Sequence, residues 1–333
     1  MRKRRLALVG VLAVTIAAAT GCSATPEKTS APQSTQGTGQ GQQAENVMPT
    51  TVFVADQNGF VVPLNVKMEK TNSVAQATLQ NMIAGGSGDA SLVGTGFRNV
   101  LPEGTKIRGV SINEGVAKVD FTKEVNELKT SADEQAMVDA VVWSLTGLES
   151  INKVQFMVEG HMMNTLKNGT PIGDPISREG GINLQLTSNL SPSNATALTL
   201  YFEGKSNDSN FSYLVPVTRM VPKRADQNMI ELTLAELAKG PHSDALEPVV
   251  SPELKLNKSA VAEKTATLDF ASELAADGGS TNQMVNSIVL SVAANADVDK
   301  VKFTVGEKAP KASEGLDLTQ PVLIPQTINE QKL

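Results

Sequence analysis

The sequence predicts an α+β protein of two tandem two-layer domains. Each is a roughly five-stranded sheet with two helices on one face, and the pair follows a signal peptide and a disordered linker. Three observations carry this. A strand is written twice, as Val116-Ala117-Lys118-Val119-Asp120-Phe121 and as Thr265-Ala266-Thr267-Leu268-Asp269-Phe270. Apolar and polar residues alternate in both copies, which gives each strand one buried and one wetter face. A helical stripe is also duplicated. Val74, Ala75, Thr78, Leu79, Met82 and Ile83 recur 155 positions later as Met229, Ile230, Thr233, Leu234, Leu237 and Ala238. The third observation is the order of elements, strand-strand-helix-strand-strand-helix-strand in each copy. Two amphipathic helices can shield only one face of such a sheet.

Arg2, Lys3, Arg4 and Arg5 precede an apolar stretch at 6–19, which at 14 residues is shorter than the roughly 20 needed to span a bilayer. It ends Ala19-Thr20-Gly21-Cys22-Ser23, small residues before a cysteine, as in a bacterial lipobox. Residues 1–21 are expected to be a lipoprotein signal peptide and Cys22 the lipidated residue. The leucine usual three places before the cysteine is replaced by Ala19, and the competing reading is an ordinary secretory signal. Cys22 is the only cysteine, so no disulfide partner exists. Acyl chains there would anchor the protein to a membrane surface. Cleavage removes four basic residues and no acidic one, taking the net charge from −6 to −10. So acidic a chain is a poor ligand for nucleic acid or anionic lipid. Residues 22–49, rich in Gln, Ser, Thr, Gly and Pro, cannot bury enough apolar surface to fold. As a tether they reach roughly 30 Å on average and about 90 Å at full stretch.

The first domain is expected over 50–186 and the second over 195–325. Strands at 51–55 and 60–66 match strands at 198–202 and 213–219, and Val62-Pro63 matches Val215-Pro216. A proline inside a strand places it at a sheet edge. The first helices stop at Gly85-Gly86 and Gly240-Pro241. Second helices start near Ser131 and Ser280, with Ser131-x-x-Glu134 and Ser280-x-x-Gln283 able to form capping boxes. Their apolar faces are Met137, Val138, Val141, Val142 and Leu145, and Met284, Val285, Ile288, Val289 and Val292. Last strands lie at 154–158 and 301–305. The alternating segment 182–186 suggests one strand more, before a polar linker at 187–194. Each repeat carries a full set of elements and is expected to fold alone.

The residues offer little chemistry. His161 and His242 are not equivalent between the repeats, and a metal site needs several converging ligands. There is no Gly-x-Ser-x-Gly and no P-loop, and Gly94-x-Gly96 lacks a third glycine. Ser150-x-x-Lys153 lacks a Lys-Thr-Gly partner. Asp120 and Asp269 have Glu124 and Glu273 four positions on. One reading is a paired acid and base. The other is architectural, a polar face whose carboxylate caps a turn. No catalytic residue, metal or cofactor is assigned, and no small-molecule substrate is evident.

Four stretches, Leu-Val-Pro-Val-Thr-Arg (214–219), Leu-Ala-Glu-Leu-Ala-Lys-Gly-Pro (234–241), Val-Asp-Phe (119–121) and Val-Gln-Phe-Met-Val-Glu-Gly (154–160), resemble the GerM domain family. The resemblance covers roughly residues 50–325. A lipobox, a polar stalk and two such domains are similar to the family's sporulation and germination lipoproteins of endospore-forming bacteria. Such domains resemble ring-building folds of secretion systems. The resemblance implies a non-enzymatic scaffold outside the cytoplasm, lipid-anchored to the outer face of the membrane. It also implies a place between the membranes around the forespore, supporting a channel or ring complex of other proteins. It brings no catalytic residues. The first repeat departs from the pattern with Gly85-Gly86-Ser87 in place of Gly-Pro, the second with Leu268 in place of valine. An accessory lipoprotein of a sensor kinase and a cell-wall-active enzyme are the alternative readings.

Strand alternation points Lys118 and Asp120, and Thr265, Thr267 and Asp269, away from Phe121 and Phe270. Lys118, Asp120, Thr267 and Asp269 are therefore the candidate partner-binding residues. They lie on a face with few large apolar side chains.

Overall fold

A computed structural model describes residues 47–185, 190–206, 211–274, 280–311 and 316–330. Cys22, the expected signal peptide and nearly all of the expected linker lie outside these residues. The first repeat opens with β1 (Val47–Ala55) and β2 (Val61–Glu69), an antiparallel hairpin. Helix α1 (Val74–Gln80) follows, then β3 (Ile107–Asn113), β4 (Val116–Phe121), helix α2 (Ser131–Leu145), β5 (Lys153–Val158) and the short β6 (His161–Met162). The second repeat has the same order. It runs β7 (Ala195–Lys205), β8 (Ser212–Pro222), α3 (Met229–Ala238), β9 (Leu256–Ala262), β10 (Thr265–Phe270), α4 (Thr281–Asn295), β11 (Lys300–Val305) and β12 (Val322–Leu323).

The two α+β repeats are present as expected, with the strands sorted into two ladders per repeat. The hairpin stands apart, and the others form the orders β3-β4-β5-β6 and β9-β10-β11-β12. β4 pairs antiparallel with β3 and parallel with β5, as β10 does with β9 and β11. The outer hairpin strand does not continue into the ladder because a helix occupies its edge. Ser144 of α2 accepts from Phe53 N at 2.9 Å, and Ser291 of α4 accepts from Tyr201 N at 2.9 Å. These serines interrupt apolar helix faces to satisfy strand donors that would otherwise be buried without partners.

The inward alternation holds. Ala117, Val119 and Phe121, and Ala266, Leu268 and Phe270, are all buried. Phe121 stacks on Phe156 across the ladder at 6.1 Å, and Phe270 on Phe303 at 6.4 Å. Two helix boundaries differ from the sequence pattern. α1 ends at Gln80, and Met82 and Ile83 continue in a turn, since Met82 O and Ala84 N bond Leu101 N and O. The cap of α2 is Thr130, whose hydroxyl accepts from Asp133 N. Glu134 takes no part in a capping box. Its fully buried carboxylate accepts from Asn168 N at 2.7 Å and from Thr170 N. Ser280 does cap α4, through Asn282 N, while Gln283 turns to Ser212.

One hydrophobic core runs through both repeats, and residues from Asn46 onward form one compact unit. The repeats meet along β2 and β8. Pro63 and Pro216 have no N–H to offer a ladder, so two asparagine side chains join the strands instead. Asn183 accepts from Val61 N at 2.8 Å and donates to Val61 O at 2.8 Å and Pro216 O at 2.7 Å. Asn329 accepts from Leu214 N at 2.8 Å and donates to Leu214 O at 2.9 Å and Pro63 O at 2.8 Å. Each asparagine holds its own repeat and reaches one carbonyl of the other. The seam thus reads the same from either side, the pattern of an isologous interface. Both asparagines have positive φ, 49° and 58°, a conformation that this residue tolerates better than most. The segment expected as an extra strand near 182–186 bonds the second repeat, with Thr218 N donating to Ile182 O and Gln185 N to Thr218 O. Tyr213 Oη donates to Asp56 Oδ2 at 2.9 Å, and Phe97 packs edge-on to Tyr213 at 4.8 Å. Burial raises the pKa values of both Asp56 and Tyr213, and the Asp56 charge raises that of Tyr213 further.

Candidate partner-binding surfaces

The outward faces of the two ladders are where the polar residues of the duplicated strand lie. In the first repeat, Lys118 is exposed and Asp120 half-buried. Asp120 accepts from Gly160 N at 2.8 Å and from Arg108 Nε at 3.0 Å, and Arg108 also reaches Glu159. In the second, Thr267 is half-buried and Asp269 is only 3% exposed. Asp269 Oδ1 accepts from Glu307 N at 2.6 Å and Thr304 Oγ1 at 2.7 Å, and its Oδ2 accepts from Asn257 Nδ2 at 3.1 Å. Those donors, the Glu307 N–H foremost, hold its carboxyl below the usual range. Gly160 and Glu307 each lie two residues beyond the last parallel strand of their ladder. The two aspartates therefore perform one task, tying that turn to the central strand.

This geometry supports the architectural reading of the aspartates. Among the described residues, neither Glu124 nor Glu273 hydrogen-bonds its aspartate. Hydrogen bonding from Thr122 and from its own backbone N–H lowers the Glu124 pKa, and Glu273 accepts from Lys311 N at 3.1 Å. Asp269 is enclosed by its partners and presents almost no surface to another molecule. His161 is exposed on β6, and His242 lies at the end of α3, where desolvation and then the Arg219 charge lower its pKa.

The accessible parts of the two faces differ. Gln155, beside Lys118 on the parallel strand, is 3% exposed because its amide donates to Ile172 O and Gly173 O. Its counterpart Lys302, beside Thr267, is exposed. Lys118 and Lys302 make no salt bridge among the described residues, so each face offers an unpaired ammonium. Sequence reasoning missed an apolar contribution to the first face, the cross-strand pair Met157 and Met162, with Met162 53% exposed. It lay in a two-residue strand too short to show alternation. Among the described residues the ladders end at β3 and β9, where the equivalent Ile112 and Val261 are 46% and 53% exposed.

Arg219, the last residue of the Leu-Val-Pro-Val-Thr-Arg stretch, is structural. It is 1% exposed and donates to Gly240 O at 2.7 Å and Glu236 O at 2.9 Å, closing the C-terminal end of α3. Its guanidinium also lies over Phe202, 5.5 Å from the ring centroid.

Comparison with known proteins agrees with this duplicated architecture. The family model Germane, described as sporulation and spore germination, matches residues 51–164 and again 199–310. The Spore germination protein GerM of Bacillus subtilis (strain 168) is 33% identical over 302 residues, 88% of this chain and 81% of that protein. The solved tandem GerMN domains of the sporulation protein GerM from Bacillus subtilis superpose with a TM-score of 0.75 at 31% identity. That match covers 85% of this chain and 99% of the solved one. With one copy of the family domain in each repeat, the chain belongs to the Germane family of sporulation and spore germination.

Proposed function

We propose that the protein is a non-enzymatic assembly scaffold of sporulation and spore germination. It is lipid-anchored through Cys22 to the outer face of the cell membrane. In a sporulating cell it supports a protein channel or ring complex in the space between mother cell and forespore. The observation that carries this reading is the union of two copies of one fold in a single compact unit, each with an accessible polar ladder face. Lys118 with the Met157–Met162 pair on one face, and Lys302 with Thr267 on the other, suit weak polar contacts to protein partners. Rigidly joined sites raise the effective concentration for the second contact, so two weak contacts suffice to hold an assembly. The relative's name, Spore germination protein GerM, supports the same setting. The residues between Cys22 and the start of β1 supply the reach from membrane to complex.

A fluorescent fusion to the C-terminus, followed through sporulation in a spore-forming host, tests this reading. The expected result is recruitment to the membranes around the forespore, lost in the Cys22→Ala variant. A uniform cytoplasmic signal in the unmodified fusion overturns it.

A further inference from the structure

Two hollows flank the seam, one on each side of the joined hairpins. The first, of about 620 Å³, is lined by the turn at Gly59 and Phe60, by Gln135, Ala136 and Asp139 of α2, and by Leu184. The second, of about 250 Å³, is lined by Ser212, Gln283 and Asn286 of α4, Asn329 and neighbours. They are counterparts, because α2 and α4 align with Met137 on Met284, Val138 on Val285 and Val141 on Ile288. That alignment places Asp139 on Asn286.

The fold therefore accepts a neutral amide where the first repeat keeps a carboxylate. The Asp139 Oδ1 accepts from Gln135 Nε2 at 2.7 Å, and its carboxyl also takes the N–H of Asn183. Neither donor carries charge. Among the described residues no lysine or arginine pairs with Asp139, and the only other titratable side chain lining the hollow is His242. Burial pushes the carboxyl up to about 6. A partly buried charge without a counter-ion is a cost that Asn286 shows to be avoidable. The surroundings are suited to a cation on a hydrocarbon stem. Phe60 and Ala136 are half-buried, and Leu184 is 48% exposed at the mouth.

We propose that the hollow beside Asp139 is a binding site for a primary alkylammonium group. The ammonium sits on the Asp139 carboxylate and the methylene stem lies against Phe60, Ala136 and Leu184. A lysine side chain of a partner and a free diamine present this same chemistry. Because the hollow is built from both repeats, an occupant also bridges the seam.

The test is an NMR titration of the purified full-length chain at pH 7.5 with three probes. These are cadaverine, a blocked Ala-Lys-Ala peptide, and the same peptide acetylated on lysine. Saturable shifts at Gln135, Asp139 and Asn183 are expected with the first two and not with the third. Tighter binding of the peptide identifies the ligand as a partner's lysine, and tighter binding of cadaverine as a free amine. Asp139→Asn, which copies the second repeat, should weaken binding about 10- to 100-fold, the value of one charge-assisted hydrogen bond. Ala136→Leu, which fills the path of the stem, should do the same with Asp139 intact. Binding of the acetylated peptide as tight as that of the lysine peptide overturns the proposal. So does undiminished binding in a folded Asp139→Asn or Ala136→Leu chain.

Discussion

Replacing Asn183 by glycine tests the physical account of the seam. Glycine adopts the φ of 49° freely, so the change removes the side chain without adding backbone strain. Three hydrogen bonds go with it, from Val61 N and to Val61 O and Pro216 O, all between 2.7 and 2.8 Å. Val61 is 1% exposed and Pro216 is buried, so water entering from the hollow that Asn183 lines replaces the lost partner only in part. An unsatisfied buried polar group costs about 1–3 kcal/mol. Three groups that relax together, plus the added chain entropy of glycine, give about 3–5 kcal/mol. The assay is urea unfolding of the full chain followed by fluorescence of Trp143, the only tryptophan. Its indole N–H donates to Gly181 O at 3.1 Å, two residues from the substitution. Asn329→Gly should cost a similar amount, because its three bonds are the reciprocal set. A loss below about 1 kcal/mol in both variants, the size of an exposed hydrogen bond, would show that these asparagines do not hold the seam.

Other consequences follow from single groups. Asp139 is raised from 3.8 to about 6 by burial, so the folded state holds its proton longer than the unfolded state does. Stability should therefore fall as pH rises between about 4 and 6, by at most about 3 kcal/mol at roughly 1.4 per unit. Other carboxyls titrate in that range too, so the measure is the difference between the melting curves of the unmodified chain and of Asp139→Asn, which should change with pH by this slope. Arg219→Met should destabilise by about 3–5 kcal/mol, because Glu236 and the carbonyl of Gly240 lose a buried cation; thermal melts measure it. Cys22→Ala should abolish membrane retention after signal cleavage. Fractionation and mass measurement would detect the contrary case, a cleaved chain still in the membrane.

The duplication was legible in the sequence because buried strands and helix stripes impose periodicity, and two copies of a periodic pattern verify one another. The cores around Phe121 and Phe270 follow directly from it. Other features depend on contacts between distant segments and leave no local mark. Thr130 caps α2 in place of Ser131 because Glu134, the partner required for a box at Ser131, is drawn to the backbone of 168–170. The hairpins stand apart from the ladders where polar side chains on otherwise apolar helix faces take strand donors, Ser144 on α2 and Ser291 and Asn295 on α4. Alternation gives the outward direction of Lys118 and Thr267, which are exposed and half-buried. Alternation gives direction but not coverage, so it could not show that Asp269 and Gln155 are buried. The prolines at 63 and 216 signalled an edge, and the seam is that edge met by its counterpart. Its asparagines had a sequence signal, the dipeptide Ile182-Asn183 repeated as Ile328-Asn329 beyond the last strand of each repeat. Because Ile182 and Gln185 bond β8, the repeats are coupled more closely than two complete sets of elements suggest. Fragments cut at 187–194 should melt lower apart than mixed.

The two ladder faces are proposed to hold protein partners during sporulation. A photo-crosslinking residue placed singly at Lys118, at Lys302 and, as a control, at the exposed Lys264 paired with Asp297 tests this in living cells. Adducts to the same protein partner are expected from positions 118 and 302, appearing only after sporulation begins, with none from 264. Adducts from 264 alone, or none from either face in cells that sporulate normally, would contradict this.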